Sequence, residues 1–315
     1  MTSGTGRIVR SKTEAVEWRT VWLAVAIYAA FGALTWYAHA LPWWLLIVLG
    51  GYVVCLHGSL AHEAVHGHPT GNKLINEALV FPNLVLWVPF RRYYYLHRVH
   101  HNDERLTDPY DDPESWFLTP KDWTDVWLPT RWLLTVNNTA AGRLLVGPFV
   151  SVTRFFVAEV RALLSNDRRV IRSWLVHIPA VAVVLVWVMA VCDLSLLEYL
   201  VYFVWPGTSL TLLRSYAEHR AHELPEGRTA VIETNWLMGL LYLNNNLHAA
   251  HHAHPSLAWY ALPAEYRGRR SAYLTRNQGY LISGYGRLIL QNLLRPHQPV
   301  PHPLLASERH TPWQK

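Results

Sequence analysis

Four stretches of this chain are long and apolar enough to cross a bilayer, at 20–38, 42–60, 174–191 and 196–213, and none contains a Lys or Arg. A segment alone in lipid must satisfy its own backbone polar groups, so each is expected to be an α-helix. Only residues 39–41 separate the first two stretches and only 192–195 the last two, which predicts two tight helical hairpins. Composition agrees. Charged residues make up 16% of the chain and hydrophobic residues 51%, and the 16 Trp and 16 Tyr suit a membrane–water interface. The "WYAHALP" stretch carries a small-x-small site of the kind that follows a signal peptide. Its apolar run is longer than a signal core and no secreted domain follows, so an uncleaved first span is expected.

The charges orient the hairpins. Neither tip carries a Lys or Arg. All 28 basic residues fall in the N-terminal arm, between the hairpins, or after the fourth stretch. The positive-inside rule places these three regions in the cytoplasm. The expected fold is an all-α integral membrane domain covering 1–315. Four transmembrane helices in two hairpins carry a cytoplasmic helical cap (61–173 and 214–315), with both termini cytoplasmic. A net charge of +6 then reads as contact with anionic membrane lipids, and no basic helix or aromatic signature supports nucleic-acid binding. Apolar pieces at 76–89 and 235–243 are too short to span and are expected as helices on the membrane surface. The Trp-rich "DDPESWFLTPKDWTDVWLPTRW" reads as an interfacial cap, and the basic, then Pro-rich tail after Pro263 reveals no chemistry. Two cysteines, Cys55 and Cys192, exclude a disulfide framework or a Cys-ligated cluster and read as buried thiols.

The chain's 18 histidines are not scattered: "HEAVH" occupies 62–66, "HRVHH" 97–101 and "HAAHH" 248–252. On a helix, positions i, i+3 and i+4 point to one side, so each cluster presents its rings together. Neutral imidazole binds Fe, Zn, Cu or Ni. Each cluster follows a span or a short apolar piece on the same predicted side, and His219 and His222 follow the fourth span. So many imidazoles exceed one coordination sphere, which points to two metal ions. His57, His68 and His254 are out of register with their neighbours, and His39 and His177 lie at the far side or within a span. Of these five only His57 is near enough to support the site. "HEAVH" also matches the HExxH zinc-protease motif with Glu63 as general base. That chemistry needs one further ligand and leaves both HxxHH clusters without a purpose.

HxxxH, HxxHH and HxxHH interleaved with two membrane hairpins resemble the integral-membrane fatty acid desaturase superfamily, over about 20–263. That superfamily includes acyl desaturases, alkane and lipid hydroxylases, and carotenoid ketolases. The resemblance implies two iron ions, O2 as co-substrate and two external electrons. Its ligands fall on His62, His66, His97, His100, His101, His248, His251 and His252. It adds a histidine near the end of the fourth span, here His219 in preference to His222. The implied reaction is desaturation of an acyl or other lipid-like aliphatic substrate, with hydroxylation or ketolation as the alternative on the same scaffold. "HEAVHGHPTGNKLINE" and "RSYAEHRAHE" resemble a bacterial subgroup that includes dihydrorhizobitoxine desaturase, which implies a bacterial inner membrane and leaves a smaller or more polar substrate open. Asp108, Asp111 and Asp112 in "NDERLTDPYDDPE" are placed to accept ring N–H bonds. Asn244, four residues before His248, would share its face or cap a helix. The chain shows no Gly-rich nucleotide fingerprint and no haem motif. Electrons would therefore come from a separate donor such as a ferredoxin or a cytochrome, docking near Arg91, Arg92 or Arg98.

Overall fold

A computed structural model describes residues 16–101 and 103–305. The basic N-terminal arm and the C-terminal end, on which part of the expected sidedness rests, lie outside the described residues. In chain order, α1 (Trp18–Trp36) and α2 (Trp43–Val65) lead to α3 (Lys73–Leu79) and α4 (Phe90–His100). Next come α5 (Pro120–Asp125), α6 (Leu128–Asn137), α7 (Ala140–Leu145), α8 (Gly147–Leu164) and α9 (Arg168–Leu185), which runs on as a π-helical stretch, Val186–Val191. α10 (Leu196–Tyr199) passes through a second π-helical stretch, Leu200–Val204, into α11 (Trp205–Glu218). After strand β1 (Val231–Ile232) come α12 (Trp236–Leu241), α13 (His248–Ala253), α14 (Leu262–Gly268), α15 (Arg270–Arg276), strand β2 (Leu281–Ile282) and α16 (Tyr285–Asn292).

Four helical runs are apolar enough to cross a membrane: Trp18–Trp36, Trp43–Val65, Arg168–Val191 and Leu196–Glu218. At 1.5 Å per residue these cover about 28–36 Å, against about 30 Å of bilayer hydrocarbon. Their ends correct the sequence boundaries. An apolar window stops at the first polar residues, whereas backbone hydrogen bonding continues until something breaks or caps it. The second helix therefore runs to Val65 and takes His62 into its last turn. The third begins at Arg168, where Asp167 caps it by accepting from the Arg169 and Val170 N–H groups. The fourth persists to Glu218, directly before His219.

α2 and the fourth helical run form the centre. Glycines allow their close approach: a Cβ on Gly51 would lie 2.7 Å from Pro206 Cβ, and one on Gly207 2.6 Å from Val54 Cγ1. α1 and α9 leave apolar side chains such as Trp22, Leu175 and Ile178 exposed, the surface a bilayer would cover. The connections after α1 and after α9 meet, with a His39 ring nitrogen 3.1 Å from the Asp193 carbonyl oxygen.

Two local expectations change. The piece at 76–89 is helical only as α3, because Pro82 lacks the N–H that would continue it. β1 and β2 form a small parallel pair, Val231 beside Leu281, so the fold is mostly helical and not wholly so. That pair matters for position. Ala230 N–H donates to Glu218 O at 2.9 Å, Ala249 N–H donates to Ala230 O at 2.9 Å, and Val231 N–H donates to Tyr280 O at 2.9 Å. The tail beyond Pro263, uninformative in sequence, thus braces β1, and β1 holds the start of α13 against the end of α11.

Candidate metal centre

Four chain segments converge below the helical core: the end of α2, the end of α4, the residue after α11, and α13. Their histidines form two groups, in each of which the ligand atoms lie within 4.8 Å of one another. One holds His62, His66, His97, His101 and His251; the other holds His100, His219, His248 and His252. Each HxxHH cluster is therefore divided, where the sequence pattern alone showed a single shared direction. At 100° per residue, i and i+4 diverge by about 40°, while i+3 and i+4 diverge by about 100°. His97 and His101 go together and His100 goes to the other group. On α13, His248 and His252 go together and His251 crosses over. The His101 and His252 rings stack between the groups, centroids 4.3 Å apart.

The outer nitrogens are anchored. His97 Nδ1–H donates to Glu114 Oε1 at 2.8 Å, and His100 Nδ1–H to Asp112 Oδ1 at 2.9 Å. His248 Nδ1–H donates to Asn245 Oδ1 at 3.0 Å, and Asn245 is oriented by donating its Nδ2–H to Glu218 Oε1 at 3.3 Å. Glu218 also pairs with Arg214 at 2.9 Å. These bonds hold the Nδ1 proton outward, so the Nε2 atoms of all three rings point inward.

The inner nitrogens are crowded. His97 Nε2 lies 3.1 Å from His66 Nε2 and 3.0 Å from His101 Nε2. His219 Nε2 lies 3.0 Å from both His100 Nε2 and His248 Nε2, and a proton on it could serve only one of them. His62 Nε2 is buried without a hydrogen-bond partner among the described residues. Burial first, then the neighbouring rings, push His66, His101, His219, His248 and His251 well below the ordinary imidazole range, so these rings are neutral. Lone pairs facing one another this closely call for a cation between them. Two ligands at right angles, each about 2.1 Å from a metal ion, stand about 3.0 Å apart, which is the spacing seen. An all-imidazole donor set in two groups fits a pair of first-row metal ions.

Carboxylates supply the opposing charge. Burial disfavours the ionised form of Glu114, but His100 and His97 outweigh it and hold its carboxyl well below the usual carboxylate range. Burial likewise favours neutral His100, yet Glu114 and Asp112 overcome it and raise that ring to about 9. In the metal-free protein a protonated His100 carries part of the positive charge these acids require.

The structure selects among the residues named from sequence as supports. Of the three aspartates only Asp112 reaches a ring. Asp108 Oδ1 accepts from the Tyr110 and Asp111 N–H groups, and Asp111 lies 3.7 Å from Arg105. Asn244 does not share the His248 face, because α13 begins only at His248. Leu243 and Asn244 take left-handed conformations (φ 46° and 60°), and Asn244 donates to Trp259 O. His222 belongs to neither group: its Nδ1 accepts from the Leu224 N–H and its ring packs over Gly227. His57 meets the Tyr28 hydroxyl at 3.1 Å and lies outside both groups. The proposed docking arginines are partly neutralised, Arg91 by Glu77 at 2.6 Å and Arg92 by Glu159 at 2.8 Å. Sequence reasoning missed Glu114, Asn245 and Glu218. Their signals were faint but present: Glu114 lies two residues after Asp112, Asn245 lies three before His248, and Glu218 adjoins His219.

Comparison with known proteins adds an independent line. The family profile described as fatty acid desaturase matches residues 38–283, which contain α2, all nine grouped histidines and both β-strands. No curated protein matches the chain.

Proposed function

We propose a function from one premise: the chain belongs to the fatty acid desaturase family. Membership and four apolar helices make it a membrane oxidoreductase acting on lipid-like substrates. The finer reading is an O2-dependent di-iron desaturase with its site on the cytoplasmic side. His62, His66, His97, His101 and His251 hold one iron, and His100, His219, His248 and His252 hold the other. Bound iron, given O2, two electrons from a separate donor and two protons, supplies the oxidising chemistry that removes two hydrogens from an unactivated aliphatic chain and leaves an alkene and water.

The observation that carries this reading is the division of nine imidazoles into two close-packed groups. The chain's own residues prepare the site. Asp112, Glu114 and Asn245 keep the Nδ1 protons outward, so each ring offers its Nε2 inward without rearrangement. His62, His97, His100, His248 and His251 are at most 2% exposed, which keeps bulk water from the donors. Neutral ligands leave the charge of two ions uncompensated, and Asp112, Glu114 and Glu218 stand around the rings to offset it. The geometry disfavours a hydrolase. Glu63, the base such an enzyme would use, accepts from the Trp259 N–H at 3.1 Å and lies on the Nδ1 side of His62, away from the inward nitrogens.

The test combines metal and product. Purified protein should carry about two irons per chain, because the imidazoles exceed one coordination sphere. With candidate lipids and 18O2, the label should leave as water. Label retained in the product would make the enzyme a hydroxylase, and turnover without O2 would end the oxidase reading.

A further inference from the structure

A cleft beside the second histidine group contains a cation with no carboxylate partner among the described residues. On the metal side it is lined by His219, Asp112, Glu114 and Glu218. On the far side it is lined by Arg143 of α7, with Trp116 and Tyr216. Arg143 is only 2% exposed. Its Nε donates to Asn137 O and its Nη2 to Asn138 Oδ1, both at 3.1 Å. Its Nη1 is buried with no hydrogen-bond partner among the described residues. The guanidinium lies 4.0 Å over the Trp116 ring and 5.4 Å from that of Tyr216. Among the described residues, no carboxylate stands within ion-pair reach of it.

The nearby acids do not fill that role, because each is already held: Asp112 by His100, Glu114 by His97 and Glu218 by Arg214. Burial lowers the Arg143 guanidinium to about 9, so it still carries its charge at neutral pH. Aromatic faces soften the burial of a cation but supply no acceptor for an N–H. A buried guanidinium with an idle donor in a cleft shared with the metal ligands is suited to an oxyanion that arrives from outside.

We propose that Arg143 anchors the anionic head group of the substrate, a carboxylate or a phosphate on an aliphatic chain, with the chain passing His219 toward the two histidine groups. This assignment rests on the reading of those groups as the oxidising centre. It narrows the substrate class from lipid-like molecules to amphiphiles with an oxyanion head, placed at a fixed distance from the oxidised carbons. The head group would complete the valence of Nη1, and the fixed anchor would set which bond meets the metal centre.

Binding can be read apart from turnover and iron. The full chain, in nanodiscs of zwitterionic lipid, would be titrated with 14C-octanoate by scintillation proximity, with empty nanodiscs as background. Arg143→Met should weaken binding at least about tenfold, the loss expected for one charge-assisted hydrogen bond, and Arg143→Lys should recover part of it. In the wild-type protein, neutral octanamide should compete far less well than octanoate, a comparison that needs no variant to fold. Competition by octyl phosphate separates the sources: stronger than octanoate, it names a phosphate head; weaker, a carboxylate. Equal competition by octanamide and octanoate, or undiminished octanoate binding in a folded Arg143→Met protein, overturns the proposal. Iron content measured on the same samples keeps the outcomes distinct. Arg143-dependent binding to protein that takes up no iron would sink the metal reading and leave the anion site standing.

Discussion

Asp112→Asn isolates the contribution of a single outward hydrogen bond to metal retention. Asp112 Oδ1 accepts from His100 Nδ1–H and from the Glu114 N–H, each at 2.9 Å, while Oδ2 accepts from the Thr107 N–H at 2.9 Å. The residue is 2% exposed. Asparagine is nearly isosteric but keeps only one acceptor atom. Turned one way, its NH2 faces the Thr107 N–H and leaves a buried donor unsatisfied. Turned the other, it faces His100 and forces the ring to surrender its Nδ1 proton or its bond. The first arrangement costs the fold about 1–3 kcal/mol. Either one also removes the negative charge that raises the basicity of His100, and loss of such a support typically costs 10–100-fold in metal affinity, or about 1.4–2.7 kcal/mol. Bound iron measured against a graded chelator, with thermal unfolding of the metal-free protein in parallel, separates the two losses. Asp108→Asn is the control, because Asp108 uses only Oδ1, which asparagine retains. Equal iron retention in the Asp112 and Asp108 variants would refute the reasoning.

The two groups should respond separately: His66→Ala and His248→Ala are each expected to lose about half of the iron, and the double variant nearly all of it, by metal analysis of purified protein. Gly207→Ala should destabilise by about 1–3 kcal/mol, since its Cβ would meet Val54 Cγ1 at 2.6 Å, whereas Gly58→Ala, nearest Thr211 Oγ1 at 3.8 Å, should be neutral or stabilising by up to about 1 kcal/mol. Thermal melts in detergent compare the two, and equal melts would remove the close-approach argument. Chelation should raise hydrogen exchange at the end of α4 and in α13 before it does so in α1 or α2, because ion binding joins segments that the apolar core does not. A single cysteine at Asp193 is expected to label from the periplasm and one at Asp111 only from the cytoplasm; reversal would place the site away from reduced electron carriers.

The four apolar helices were legible because what makes them is local: enough consecutive apolar residues, uninterrupted by charge. Their ends were less so. His62 and Glu63 look like the start of a loop in an apolar window, yet they continue α2 because Glu63 is buried and engaged by the Trp259 N–H. The tail shows the same limit more strongly. Nothing in "NQGYLISGYG" announces that Leu281 and Ile282 will lie beside Val231 and Ile232, because strand pairing across some fifty residues is decided by what the rest of the fold leaves adjacent.

At the site, the inward-facing residues were legible and the outward-facing ones were not. Histidine spacing on a helix is written in the sequence, since i, i+3 and i+4 fix relative directions whatever surrounds the helix. The partner of each Nδ1 depends on how an irregular loop folds back, and so Asp108, Asp111 and Asp112 were equivalent until Thr107, at φ 68°, turned the loop and brought Asp112 under His100. The spacing also contained more than the shared direction read from it. A helix with only i and i+4 histidines points at one centre. Adding i+3 supplies a ring about 100° from i+4, and that ring can serve a second centre on the other flank. Two such helices, α4 giving two rings to one group and one to the other, and α13 doing the reverse, tie both groups to both helices. Both groups are then built on the same two helices, which is a structural reason for this spacing to occur twice.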